Sequence, residues 1–381
     1  MVNLAHRITR LKASPIRDIL AVASRPGMIS FAGGLPAKES FPAVESLSFE
    51  QGDLQYGPSE GEEYLRQQVS IELQARGLEV SADSVLILSG SQQGIDLVGK
   101  LVVEEGTEVA VESPTYLAAL QVFNLFGAEY VTYDIKSLCR SFLGNSPALL
   151  YSIPTFQNPS SFVYTERQRQ DLANLCDNDN IILFEDDPYR DLMYEPCDRQ
   201  PVCSYMKKGS WIYQSTFSKT VAPGLRLGYL VCSPDLYPYL LRLKQAADLH
   251  SSRVSQRIVH RILNDTAATT RLVELQGLYK LKRDNFNIVL SKYFDDLATW
   301  NLPEGGLFFW LTLKSTALIN TQSLLTEAID SGVTFMPGEP FFTDGREASN
   351  CFRLNFSNVE NDEVEVGLAK LSDIFRRATQ L

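Results

Sequence analysis

The chain has 381 residues, of which 44% are hydrophobic and 21% charged, with a formal net charge of −11. A chain of this length and ordinary globular composition buries a substantial core without disulfides, as two domains or as one large α/β body with a smaller partner. No apolar run approaches the roughly 18 to 20 residues of a membrane helix, and the acidic balance argues against a nucleic-acid surface. The six cysteines include no CxxC pair, and the three histidines assemble no zinc-ligand spacing, so neither a metal nor a disulfide framework is expected. The opening MVNLAHRITRLKASPIRDIL lacks a continuous apolar h-region and a small-residue cleavage site, which predicts a cytoplasmic protein.

In chain order, short β-branched or aromatic runs alternate with longer helical stretches between about residue 50 and residue 235. SVLIL (84–88), EVAVE (108–112), EYVTY (129–133), ALLYS (148–152), NIILFED (180–186), WIYQST (211–216) and RLGYLVC (226–232) read as strands, most of them continuous enough to be buried on both faces. Helices are predicted at about 61–76, 92–104, 115–126 and 165–178. This alternation is the pattern of a parallel sheet with crossover helices.

After residue 233 long helical periodicity takes over, through PDLYPYLLRLKQAADL, SQRIVHRIL and 267–295, before strands return as GGLFFWLTL, VTFMPG and CFRLNFS. A final amphipathic segment, ENDEVEVGLAKLSDIFRRA, is expected to pack on this second lobe. The expected fold is α/β: a large domain over 45–270 with a mostly parallel seven-stranded sheet flanked by helices, and a smaller α+β domain formed by 1–44 and 271–381.

One segment concentrates chemistry. From Ser215 to Tyr229 it reads STFSKTVAPGLRLGY and follows a strand, crowding hydroxyls, a lysine, an arginine and glycines together. The hydroxyls of Thr216 and Ser218 suit a phosphate, Arg226 adds a fork of donors seven residues beyond the lysine, and Lys219 is left free for covalent work. A lysine flanked by serines in a loop is otherwise ordinary solvated surface. Earlier, Gly90-Ser91-Gln92-Gln93-Gly94 lies between a strand and a helix, where backbone N–H groups and the helix N-terminus make an anion site, or simply a strand-to-helix turn.

The first of these segments resembles the S-x-S-K-x-x-x-x-G-x-R-x-G signature of fold-type-I pyridoxal-phosphate aminotransferases of class I/II, with Thr216 where serine is more common. The resemblance extends over the whole chain in the family's order. It implies pyridoxal 5′-phosphate as cofactor, held by Lys219 as a Schiff base. Phosphate contacts are implied for Gly90, Ser91, Gln92, Thr216, Ser218 and Arg226. Tyr116 is implied to stack on the cofactor ring, and Asn158 and Tyr189 to contact its phenolic oxygen. Asp186, at the end of NIILFED, is implied to face the ring nitrogen, where an anion favours the protonated, electron-withdrawing ring. Asp187 is adjacent, and the choice between the two follows the family pattern.

Arg353, in CFRLNFS, is implied to hold the substrate α-carboxylate, and the backbone near Gly34 to lie along the substrate. Tyr56, in LQYGPSEG, matches a tyrosine that reaches the neighbouring subunit's phosphate in dimeric relatives, which implies a homodimer with shared sites. The bonds Ser113-Pro114 and Asn158-Pro159 are candidates for cis peptides. The texture of SPIRDIL, FAGGLP and EDDPYRDL is similar to the subgroup that includes α-aminoadipate and kynurenine aminotransferases, and to aminotransferase-like domains of certain bacterial regulators. In that subgroup the N-terminal helix lies over the site, which makes Arg17 a candidate substrate contact.

The expected activity is ping-pong transfer of an amino group from an L-amino acid to a 2-oxo acid, with 2-oxoglutarate the default acceptor. Two alternatives stay open: a lyase on the same scaffold, and a non-catalytic amino-acid-sensing module. A direct role on DNA is not expected, because the chain begins with a short arm, is acidic and shows no basic recognition helix.

Overall fold

The computed structural model describes residues 4–11, 19, 22, 25–43, 49–138, 146–315, 318–344 and 350–379. After a short strand β1 (Ile29–Ser30), seven strands form one sheet: β2 (Val85–Leu88), β3 (Glu108–Glu112), β4 (Glu129–Tyr133), β5 (Leu149–Ser152), β6 (Ile182–Asp186), β7 (Trp211–Thr216) and β8 (Gly228–Cys232). Their order is β2-β8-β7-β6-β5-β3-β4. Every neighbouring pair is parallel except the two made by β8, which runs against both β2 and β7.

Alternation within each strand supplies both faces with core. Val85 and Ile87 face one hydrophobic cluster and Leu86 and Leu88 the other, as do Tyr229 and Val231 against Leu230 and Cys232. Helices cover both faces, which is why these strands read as unbroken apolar runs. Local signals set the helix ends. Thr165 and Gln168 form a capping box at the start of Glu166–Asp179, and Asn180 closes that helix in the left-handed conformation.

A second sheet, ordered β12-β13-β10-β9, is built from β9 (Ala298–Thr299), β10 (Phe308–Leu313), β12 (Met336–Pro337) and β13 (Cys351–Asn355). β11 (Val333–Thr334) pairs in parallel with β1, so the N-terminal segment is stitched to this lobe. The 27-residue helix Ala268–Phe294 and the final helix Asn361–Thr379 pack over the lobe's aromatic core, where Phe352 and Phe375 stack at 4.5 Å.

The change of texture at residue 233 does not coincide with a change of packing partner. The helices Tyr237–Asp248 and Arg253–Leu263 follow residue 233, yet they pack on the large sheet's own helices, Ser91–Val102 and Glu63–Ala75 respectively. Leu236 and Leu240 join the cluster formed by β2, β3 and their covering helices. Helical periodicity marks an apolar face without naming what it meets. Among the described residues no helix is long and apolar enough to cross a membrane.

Candidate active site

The carboxyl ends of the parallel strands and the loops that follow them converge on a cavity of about 380 Å³ beside the second sheet. Of the residues singled out in the sequence, it is lined by Gly34, Ser91, Gln92, Tyr116, Asn158, Asp186, Tyr189, Thr216, Ser218, Lys219, Arg226 and Arg353. Segments from Gly34 to Arg353 thus meet around one space.

Lys219 sits in the turn between β7 and β8. Its Nζ donates to the carbonyl of Gly34 at 2.9 Å and lies 5.8 Å from the centre of the Tyr189 ring. Burial, with the cations of Arg353 and Arg226 nearby, lowers its ammonium from 10.5 to about 8. Its charged form is therefore disfavoured without any anion to offset the burial.

Asp186 ends β6 and is buried; its Oδ2 accepts the hydroxyl of Tyr151 at 2.8 Å, while Oδ1 has no partner among the described residues. Burial pushes its carboxyl up to about 6, with Asp187 adding to the rise, while the side chains of Gln214 and Tyr151 act in the opposite direction. Asp187 does not line the cavity. It accepts the Tyr213 hydroxyl at 2.9 Å and lies 3.7 Å from Arg190. Strand alternation separates the two aspartates, so only the first is presented to the cavity.

The anion-binding features gather around Gly90, Gly228 and Arg226. Gly90 precedes the helix Ser91–Val102 with φ +85°, and a Cβ there would sit 2.5 Å from Nη2 of Arg226. Gly228 is as constrained, because a Cβ would lie 2.7 Å from the carbonyl oxygen of Ser215 and 2.9 Å from the amide nitrogen of Ser91. The glycines let a helix N-terminus, a guanidinium and the hydroxyls of Thr216 and Ser218 (2.9 Å apart) crowd together. Such a cradle suits a phosphate dianion.

Arg353 lies in β13 at full burial, with Nη1 donating to Oδ1 of Asn158 and Nη2 to the carbonyl of Ala32, both at 2.7 Å. Its Nε has no partner among the described residues. Burial lowers the guanidinium to about 10. Tyr116 precedes the helix Leu117–Phe126, and burial beside Asp186 raises its phenol to about 12, so the ring stays neutral. The Ser113-Pro114 and Asn158-Pro159 bonds, which position these two loops, are both cis.

One of the singled-out residues stands elsewhere, and another is not described. Tyr56 is 76% exposed in the chain taken alone, with its ring edge-on to His250 at 5.7 Å, away from the cavity. Arg17 lies outside the described residues, as does the whole of 14–17. Sequence reasoning also passed over Tyr151, Phe308 and Ile153. Nothing local distinguishes Tyr151 from fifteen other tyrosines. Phe308 is signalled only by strand geometry, because its position two residues before the partner of Arg353 puts both on one face of the second sheet.

This fold and this buried lysine, carboxylate and arginine around an anion cradle define a fold-type-I architecture. The chain belongs to the aminotransferase class I and II family, which it matches over residues 31–371. It is 33% identical to aromatic-amino-acid aminotransferase 1 of Thermococcus litoralis over 96% of this chain and 92% of that one. Among solved structures it is similar to kynurenine aminotransferase of Pyrococcus horikoshii in complex with PMP and kynurenine, at 32% identity and a TM-score of 0.88, covering 98% of this chain and 97% of the other. It is also similar to the α-aminoadipate aminotransferase of Thermus thermophilus complexed with N-(5′-phosphopyridoxyl)-L-leucine, at 30% identity and a TM-score of 0.87, with the same coverage. A Bacillus subtilis HTH-type transcriptional regulator is 30% identical over 88% of this chain and 68% of its own length.

Proposed function

We propose that the chain is a pyridoxal-phosphate-dependent aminotransferase that moves an amino group from an L-amino acid to a 2-oxo acid, with 2-oxoglutarate as acceptor. The observation that carries this reading is the convergence of Lys219, Asp186 and Arg353 on one cavity that also takes in Ser91, Thr216, Ser218 and Arg226. The unpartnered Oδ1 of Asp186 and Nε of Arg353 fit the cofactor and its substrate, because each is a buried polar atom that needs a ligand to satisfy it.

When bound, the cofactor supplies a sink for the electron pair left at the amino acid's Cα. Lys219 holds it covalently through Nζ. Gly90, Ser91, Gln92, Thr216, Ser218 and Arg226 would take its phosphate, Tyr116 would lie against the ring, Asn158 and Tyr189 would meet the phenolic oxygen, and Asp186 would favour a proton on the ring nitrogen. Arg353 grips the substrate α-carboxylate, with the backbone at Gly34 alongside. Once free, Lys219 Nζ would be the base that takes the proton from the amino acid's Cα, a task that its lowered pKa suits. The working unit is a homodimer in which the partner copy's tyrosine at position 56 completes the phosphate site. The large domain spans 45–270, and the small one 1–44 with 271–381.

The test is the absorbance spectrum of the protein with pyridoxal phosphate, titrated with single amino acids and no acceptor. Loss of the bound-cofactor band with a donor, and its recovery with a 2-oxo acid, is expected, and Lys219→Ala removes both. Release of pyruvate and ammonia without an acceptor would replace this reading with a lyase. A bound band that no donor bleaches would replace it with a sensor.

A further inference from the structure

The guanidinium of Arg353 lies against two aromatic rings, with Cζ 4.0 Å from the centre of Phe308 and 5.0 Å from that of Phe341. Phe308 lines the cavity. Phe341, in the turn Glu339–Phe341, is fully buried behind its wall. Trp310 meets the Phe341 ring edge-on at 5.6 Å, and Ala32, Leu117 and Met336 pack around it. These neighbours belong to the same site: Ala32 accepts from Arg353, Leu117 follows Tyr116, and Met336 is the cross-strand partner of Arg353. The carbonyl of Phe341 also accepts the N–H of Thr115 at 2.8 Å. One residue therefore presses on the arginine with its ring and anchors the Tyr116 loop with its backbone.

We propose that Phe341 is a positioning residue for amino-acid recognition, its ring fixing the plane of the Arg353 guanidinium so that the free N–H edge meets the substrate α-carboxylate. The proposal rests on the assignment of Arg353 to that carboxylate. Two of the five guanidinium donors are already committed, to Asn158 and Ala32, so a carboxylate has a restricted edge to meet. A two-point fork demands coplanarity. Two committed bonds leave the group free to tilt about the line joining their acceptors, and the pair of rings removes that freedom. Cation–π attraction also strengthens where water is excluded, as it is here. An aliphatic side chain at 341 preserves burial but supplies no π face.

The experiment compares Phe341→Leu, Phe341→Met and Phe341→Tyr in the cofactor-loaded enzyme, using a good amino-acid donor and the corresponding amine that lacks the α-carboxylate. The aliphatic variants are expected to raise the donor's KM about tenfold, roughly 1.4 kcal/mol, with kcat within about twofold. The slow reaction of the amine stays unchanged, and Phe341→Tyr keeps the wild-type KM. Slowing of amine and amino acid by the same factor would reduce Phe341 to ordinary core and overturn the proposal. So would an unchanged KM in a variant whose cofactor spectrum is that of the wild type. Failure of the wild type to react with any amino acid is a different outcome, which sinks the aminotransferase reading itself and this proposal with it.

Discussion

The hydroxyl of Tyr151 donates to Oδ2 of Asp186 at 2.8 Å, and both side chains are buried. Tyr151 is itself held by Phe123 and Phe184, whose ring centres lie 5.7 and 5.4 Å away. Desolvation drives the Asp186 carboxyl up to about 6, and the Gln214 side chain and the phenol act against it. A hydrogen bond to a charged group is worth about 1.5–3 kcal/mol, and 1.36 kcal/mol corresponds to one pKa unit. Tyr151→Phe should therefore raise the Asp186 carboxyl by roughly one to two units. Because the ionised form is the useful one, activity falls as pH drops through that value, and the acid limb of the kcat profile should move to higher pH. An unmoved acid limb would mean that Tyr151 only fills space.

Lys219 carries an acid limb of its own, centred at higher pH. Its folded value of about 8 lies below the ordinary 10.5, so its neutral form is the one favoured by the site. At pH 7 roughly a tenth of the free amine is unprotonated, against about three in ten thousand for an unshifted lysine. Exchange of the substrate Cα proton with deuterated solvent, followed by NMR, should rise about tenfold from pH 6 to pH 7 and level off above about 8. In Lys219→Ala the exchange should vanish.

Gly90 and Gly224 give a matched pair of substitutions. A Cβ at Gly90 enters a backbone region closed to other residues and lies 2.5 Å from Arg226 Nη2, whereas at Gly224 nothing stands within 4 Å. Gly90→Ala should cost about 1–3 kcal/mol of stability and at least tenfold in cofactor affinity, as measured by thermal unfolding and equilibrium dialysis. Gly224→Ala should be close to neutral in both.

Shared sites can be tested by mixing inactive chains. Tyr56 is too exposed to serve the cavity of its own chain. If it serves a partner, a heterodimer of Lys219→Ala and Tyr56→Ala chains contains one site with both native residues. Activity should reappear on mixing and refolding together two preparations that are each nearly inactive. Mixtures no more active than the sum of their parts would place Tyr56 outside the site.

Most strands of the main sheet were legible because burial on both faces demands apolar runs, as in VLIL of β2 and GYLVC of β8, whereas the edge strand β4 is largely unburied. The glycines at 90 and 228 were legible as motif members, and the structure gives the reason: in both places a side chain would collide with the groups gathered there. The packing of Tyr237–Asp248 was not legible. An amphipathic helix records that it has a partner but not which one, and here the partner is the helix Ser91–Val102.

The strand runs, the order of the site motifs and the residue types at the candidate site were all written into the linear chain, since they depend on neighbours in sequence. Folding was needed to settle that Asp186 rather than Asp187 lines the cavity, that Tyr151 holds it, and that Phe308 and Phe341 lie against Arg353. Each is a contact between segments far apart in the chain. A buried tyrosine or phenylalanine has the same local signature whether it packs on leucine or on a charge, and only the folded chain distinguishes the two.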